Sequence, residues 1–298
     1  MQVISKTSFS LCAMAAALML SACGGGEKPA EPATPASGTG ASADGPAYIV
    51  SFDASYAPFE YQDDKGNVIG FSKDVIEAVG QKAGIKFQFV NKPWEGIFET
   101  LNTGDSDVIS SSVTITDERK AQMDFSEPYF EATQMIAVND AKGGDIKSFA
   151  DLKSGKHLVS VQTGTTGDIV SQKLLGKDST QIKRFESMPL ALKELLASGV
   201  DASVGDNGVV QNFVTNNPNA KLRTIVDPTF EKEHYGFAVK KGRSDDLLQK
   251  INTGLAGIKS DGTYDKIYAK WFEAAPGAAP AAAAASAPAA ASAASGAQ

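Results

Sequence analysis

Between residues 47 and 273 the apolar pattern switches from the period of a strand to that of a helix and back, then restarts and does so again. "YIVSF" (48–52) reads as a buried strand. "FSKDVIEAVGQKAG" (71–84) reads as a helix, with Ser72 as its expected cap, Val75, Ile76 and Val79 on one face, and Gly84 at its end. In "IKFQFV" (85–90), Ile85, Phe87 and Phe89 alternate as in a strand. "WEGIFETLNTG" (94–104) suggests a short helix with Ile97, Phe98 and Leu101 inward, and "DVISS" (107–111) the next strand. Such an alternation demands parallel crossovers and hence an α/β sheet.

After a break near Lys142-Gly143-Gly144 the alternation resumes. Strands are expected at 157–162, 200–206 and 235–242, with helices at 168–175, 189–199, 207–216, 244–260 and 263–272. Two α/β halves follow, and a ligand is expected between them at the carboxyl ends of the strands.

The flanks cannot join this core. Residues 1–22 carry Lys6, an apolar run from Phe9 to Leu20 and small residues before Cys23, which is the pattern of an export signal, too short to span a bilayer. "LSAC" resembles the bacterial lipobox, so Cys23 is expected to carry lipid (palmitate among its acyl groups) and to anchor the protein in the cell envelope, facing the periplasm or the cell surface. Residues 23–46 read as a flexible tether, since 24–46 lack Val, Ile, Leu and aromatic residues. The Ala/Pro-rich stretch 274–298 reads as a disordered tail interrupted by Pro276, Pro280 and Pro288. The only other cysteine, Cys12, lies in the export signal, so no disulfide is expected in the folded part. A formal charge of −7 argues against a nucleic-acid surface.

Functional chemistry concentrates in "ISSSVTITDERKAQMDFSEPYF" (109–130). Thr116 is a plausible N-cap, with Asp117 and Glu118 suited to the positive end of the helix dipole. Arg119 then falls in the first turn, beside Ser111, Ser112 and Thr114. A guanidinium flanked by hydroxyls suits a ligand carboxylate. Surface pairing of Arg119 with Asp117 or Glu118 is the plainer alternative. "QTGTTGD" (162–168) is a glycine-rich turn into a helix, readable as an anion site or simply as a tight turn and cap.

"YAPFEY", "GFSKDVIEAVG", "ITDERKAQMDFSEPYF", "QTGTTGD" and "DGTYDKIYAKWF" together resemble the periplasmic amino-acid-binding proteins of ABC importers, solute-binding family 3, over essentially all of 47–273. The resemblance implies a two-lobed type II periplasmic-binding fold, each lobe a mostly parallel sheet flanked by helices. Residues 47–134 and 236–273 would form one lobe and 135–235 the other, with hinge strands near Thr133–Met135 and Tyr235–Phe237. It also implies that Arg119, with Ser111, Ser112 and Thr114, holds a ligand α-carboxylate. Asp206 would take the α-ammonium, although as the first residue of a helix it could serve only as an N-cap. Thr165 and Thr166 would lie near the carboxylate and Gln162 near the ligand side chain. Gly167 stands where some relatives carry glutamine, so one contact is expected to be missing. Asp53 would hold a polar or cationic side chain, and Tyr56 and Trp94 would be its aromatic walls.

An acidic ligand is disfavoured by Asp53, because two carboxylates in a dry cleft repel. The expected ligand is therefore a polar or basic L-amino acid such as glutamine, arginine, lysine or histidine. The expected partner is an ABC-transporter permease, and the protein is expected to be a monomer without a cofactor. No HExxH, P-loop or GxSxG pattern occurs, and His157 and His234, the only histidines, stand alone. Two alternatives stay open: a dehydratase of cyclic carboxylic acids of the prephenate or arogenate type, as in some proteins similar to this family, and a sensory or adhesive surface lipoprotein.

Overall fold

The computed structural model describes residues 47–273. The expected export signal, the lipidated Cys23, the tether and the tail lie outside the described residues. In the first half, β1 (Tyr48–Phe52), β2 (Ser55–Tyr56), β3 (Glu60–Gln62) and β4 (Val68–Ile69) lead into α1 (Phe71–Ala83). Then come β5 (Phe87–Asn91), α2 (Glu99–Thr103), β6 (Val108–Ile109), α3 (Asp117–Gln122) and β7 (Met123–Phe125). β8 (Phe130–Ala132) leads across to β9 (Gln134–Asn139), β10 (Val159–Gln162), α4 (Thr166–Leu175) and β11 (Ile182–Phe185). α5 (Met188–Leu196), β12 (Ala202–Asp206), α6 (Asn207–Asn216) and β13 (Leu222–Ile225) complete the second half. β14 (Glu233–Tyr235) returns to β15 (Ala238–Lys240), and α7 (Leu247–Ser260) and α8 (Thr263–Tyr268) end the fold.

Each half is built on a five-stranded sheet, in the order β5-β1-β6-β15-β7 in the first and β11-β10-β12-β9-β13 in the second. The parallel and antiparallel pairings leave four strands of each sheet running one way, with β15 or β9 opposed. Those opposed strands are the ones the chain enters just after passing between the sheets. The two passing segments pair as a small antiparallel ribbon, Phe130 opposite Tyr235 and Ala132 opposite Glu233. The fold is thus the two-lobed α/β architecture that the resemblance implied.

Helix α1 buries Val75, Ile76 and Val79 completely, each worth roughly 1.5–3 kcal/mol against exposure. Its end is set as the sequence suggests, by Gly84 in a left-handed conformation at φ 67°. Its start is not. Gly70 occupies the cap position, and Ser72 lies inside the helix, buried, sharing a hydrogen bond with the Tyr129 hydroxyl at 3.1 Å. The expected helix over 94–104 shrinks to Glu99–Thr103, because Gly96 adopts φ 78° and breaks the preceding turn. The break near Lys142–Gly144 is a turn within the second half, and the chain passes between the halves after β8. Among the described residues no helix is long and apolar enough to cross a membrane.

Candidate functional site

Strands β1 and β6 of the first sheet and β10 and β12 of the second end around one cavity. Asp53 follows β1, Ser111 and Ser112 follow β6, and Gln162 and Asp206 are the last residues of β10 and β12. All eleven residues singled out in the sequence line this cavity: Tyr56, Trp94, Thr114, Arg119, Thr165 and Thr166 are the other six.

Arg119 sits in the short helix α3, whose start is fixed by Thr116, the hydroxyl of which accepts the Arg119 N–H at 3.2 Å. The arginine is buried, 8% exposed. Its Nη1 donates to the Thr114 carbonyl at 3.0 Å and its Nη2 to the Gly164 carbonyl, across on the second half, at 3.3 Å. The guanidinium carbon lies 5.5 Å from the Trp94 ring centre and 5.3 Å from that of Phe98, so both rings flank the cation. Surface pairing with Asp117 or Glu118 does not occur. Burial lowers the Arg119 pKa, opposed by the charges of Asp206 and Glu233.

Asp206 stands at the N-cap position of α6, yet its side chain makes no capping bond. It turns instead toward a buried polar group. Gln134 Nε2 donates to Oδ1 at 2.7 Å, the Tyr235 hydroxyl donates to Oδ2, and the Tyr56 hydroxyl also reaches it. Burial, then the nearby charge of Glu233, raises its pKa to about 6. Asp53 spans the halves differently. Its Oδ1 accepts Ser55 Oγ at 2.8 Å, its Oδ2 accepts Gln162 Nε2 at 3.0 Å, and its backbone N–H donates to Ser111 Oγ at 2.9 Å. Burial pushes its carboxyl pKa up, against the two side-chain donors.

The glycine-rich turn owes its shape to Asp168, which is 2% exposed. Asp168 accepts the Gly164 N–H at 3.1 Å and is held by Arg184 Nε at 3.0 Å. The Thr165 hydroxyl caps α4 by accepting the Asp168 N–H at 3.4 Å. At Gly167 a Cβ would come within 2.8 Å of the Val204 carbonyl oxygen, so the backbone lies too close to β12 for a side chain there. On the first half, Ser112 adopts φ 47°, a left-handed conformation costly for a residue with a Cβ. Its hydroxyl donates to Glu60 Oε2 at 3.2 Å. Glu60 is fully buried with Oε1 unpartnered, and desolvation raises its pKa well above the usual carboxylate range.

Five residues beside the lining were not among the site residues expected from the sequence: Glu60, which reads there only as a possible acid or base, Phe98, Gln134, Glu233 and Tyr235. Glu60 and Phe98 sit beside motifs already marked, in "YAPFEY" and "WEGIF". Gln134 opens β9, a strand with no alternation to betray it because all six residues are buried. Glu233 falls in "EKEHYG", a charged run that reads as solvated surface. The histidines lie apart, His157 buried beside Asp145 at 3.4 Å and His234 half-exposed near Glu131 at 3.8 Å.

The model of the bacterial extracellular solute-binding proteins, family 3, matches residues 48–274. A probable histidine-binding protein of Neisseria gonorrhoeae is 46% identical over 256 residues, covering 86% of this chain and 91% of that protein. The ABC transporter glutamine-binding protein GlnH of Bacillus subtilis is 34% identical, covering 71% of this chain and 75% of its own. Among solved structures, the arginine-, lysine-, histidine-binding protein ArtJ of Geobacillus stearothermophilus superimposes with a TM-score of 0.72 at 41% identity, covering 78% of this chain and 97% of that one. With a family match spanning the whole described fold, the chain belongs to the bacterial extracellular solute-binding proteins, family 3.

Proposed function

We propose that this protein captures a cationic L-amino acid between its two lobes and delivers it to an ABC-transporter permease, from a lipid anchor at Cys23. The observation that carries the reading is the charge arrangement at the cavity. One buried guanidinium, Arg119, faces the carboxylates of Asp53 and Asp206, with Glu233 hydrogen-bonded to two lining threonines. The ligand α-carboxylate goes to Arg119 and its α-ammonium to Asp206. Three carboxylates against one guanidinium leave an excess of negative charge, which a zwitterion with a neutral side chain leaves unchanged and a cationic one reduces. Trp94 and Tyr56 give flat faces on which an aliphatic stem or a guanidinium can rest. The histidine-binding relative and the arginine-, lysine-, histidine-binding structural neighbour support the same class.

Capture without chemistry is the simpler use of these groups. Asp53 and Asp206 are each held by two or more hydrogen-bond donors, which favour the ionised carboxylate against the burial that raises its pKa. The ribbon of β8 and β14 is the segment about which we propose that the lobes close. A thermal-shift panel of the twenty amino acids tests the proposal, because a ligand of the native state raises its melting temperature. Arginine, lysine or histidine should give the largest rise. A larger rise with glutamate or aspartate, or none with any amino acid, overturns it.

A further inference from the structure

Glu233 belongs to the passing strand β14, not to either five-stranded sheet, and is half-buried. Its Oε2 accepts the Thr114 hydroxyl at 2.8 Å and the Thr166 hydroxyl at 2.8 Å. Its Oε1 accepts Gln134 Nε2 at 2.9 Å. Thr114 follows β6 in the first half, whereas Thr166 opens α4 in the second, so one carboxylate oxygen gathers a hydroxyl from each side.

A hydroxyl has a single proton, and an ionised carboxylate has none to give. Both threonines therefore spend their only proton on Glu233, and what remains on each oxygen is lone-pair density. Thr166 Oγ1 also lies 3.0 Å from Gln134 Nε2, whose two protons go to the nearer oxygens of Asp206 and Glu233. The same amide reaches Asp206 at 2.7 Å, while its own Oε1 is buried without a partner. The amide is thus oriented with its NH₂ between two carboxylates, and the network runs in one direction, from hydroxyl and amide protons toward Glu233 and Asp206.

We propose that Glu233 is a positioning and specificity-determining residue that presents Thr114 and Thr166 to the ligand as hydrogen-bond acceptors. Two threonines that the family resemblance places near a carboxylate are then fitted to ligand N–H groups. Carboxylate recognition falls to Arg119, which has three of its five N–H groups left after its bonds to Thr114 and Gly164, and to the backbone N–H groups at the start of α4. The ligand side of this inference rests on the amino-acid reading above; the network itself does not.

The test compares the wild type with E233Q, which keeps the shape and removes the charge. L-arginine and 5-guanidinopentanoate, the same molecule without its α-amino group, are titrated calorimetrically into both. The wild type should prefer L-arginine strongly. In E233Q the threonine protons are released to donate to a carboxylate, so the preference should fall about tenfold, on the scale of one hydrogen bond to a charged group. A purely structural loss would weaken both ligands alike, and an unchanged ratio overturns the proposal. A second measurement needs no ligand: the midpoint of the ¹³C titration of the Asp206 carboxyl, which the charge of Glu233 raises, should move down in E233Q. An unmoved midpoint overturns the proposal even if L-arginine fails to bind, a failure that would by itself count only against the amino-acid reading.

Discussion

At the scale of a single residue, Asp206 couples both folding and ligand binding to protons. Its folded pKa of about 6 lies above the ordinary aspartate value of 3.8, with burial the largest cause. The folded state therefore holds more protons than the unfolded state between these two values, and stability at this site falls as pH rises through that window. Ligand binding works in the opposite sense. An α-ammonium beside Asp206 favours the ionised form, so below about pH 6 binding must release a proton. Affinity measured calorimetrically should be flat above that pH and fall by up to about tenfold per unit below it, the limit for one proton. D206N should bind weakly at every pH and lack the break. A pH-independent wild-type affinity down to pH 4.5 would remove Asp206 from the ligand contact.

At the scale of elements, the site is placed by strand ends and by one close approach. Asp53, Ser111, Gln162 and Asp206 reach a common space because β1, β6, β10 and β12 stop there, and α4 can pack against β12 only because Gly167 has no side chain. G167A should destabilise the protein by about 1–3 kcal/mol, the scale of an overpacked contact, seen as a lowered denaturation midpoint with unchanged slope. An unchanged midpoint would mean that the Val204 carbonyl moves aside freely.

This level also divides what the sequence reveals from what it hides. Helices α1, α6 and α7 were legible because each buries one face of a solvent-exposed cylinder, which leaves a 3.6-residue stripe. The eleven cavity-lining residues were legible because they sit in hydroxyl-rich or glycine-rich turns at strand ends, and because those turns resemble a family pattern. Periodicity does not show β9, since a strand buried on both faces loses its alternation; only the resemblance marks a strand near Thr133–Met135, and it gives Gln134 no role at the site. Glu233 was hidden for another reason. Its partners Thr114 and Thr166 are distant in sequence, and only the return of the chain through β14 brings them together.

On the scale of the whole molecule, the two sheets are joined by the passing segments β8 and β14, and the cavity lies between the sheets. Contacts such as Gln162 to Asp53 and Arg119 to Gly164 join the halves across it. The chain belongs to a family of bacterial extracellular solute-binding proteins, and the proposed anchor at Cys23 would keep the binding unit near its permease. C23S should move the protein from the membrane to the soluble fraction without changing ligand affinity. Retention of C23S in the membrane fraction would refute lipid anchoring.

In the proposed complex one guanidinium and one carboxylate grip opposite ends of a cationic amino acid. Calorimetric titration of L-arginine, L-lysine, L-histidine and L-glutamate into the wild type and R119A tests it most directly. One-to-one binding of at least one cationic amino acid is expected, with no detectable binding of L-glutamate and a loss of about 100-fold or more in R119A, the order found when a buried charge loses its partner. R119A binding that ligand as tightly as the wild type, or L-glutamate binding as well as the cations, would contradict it.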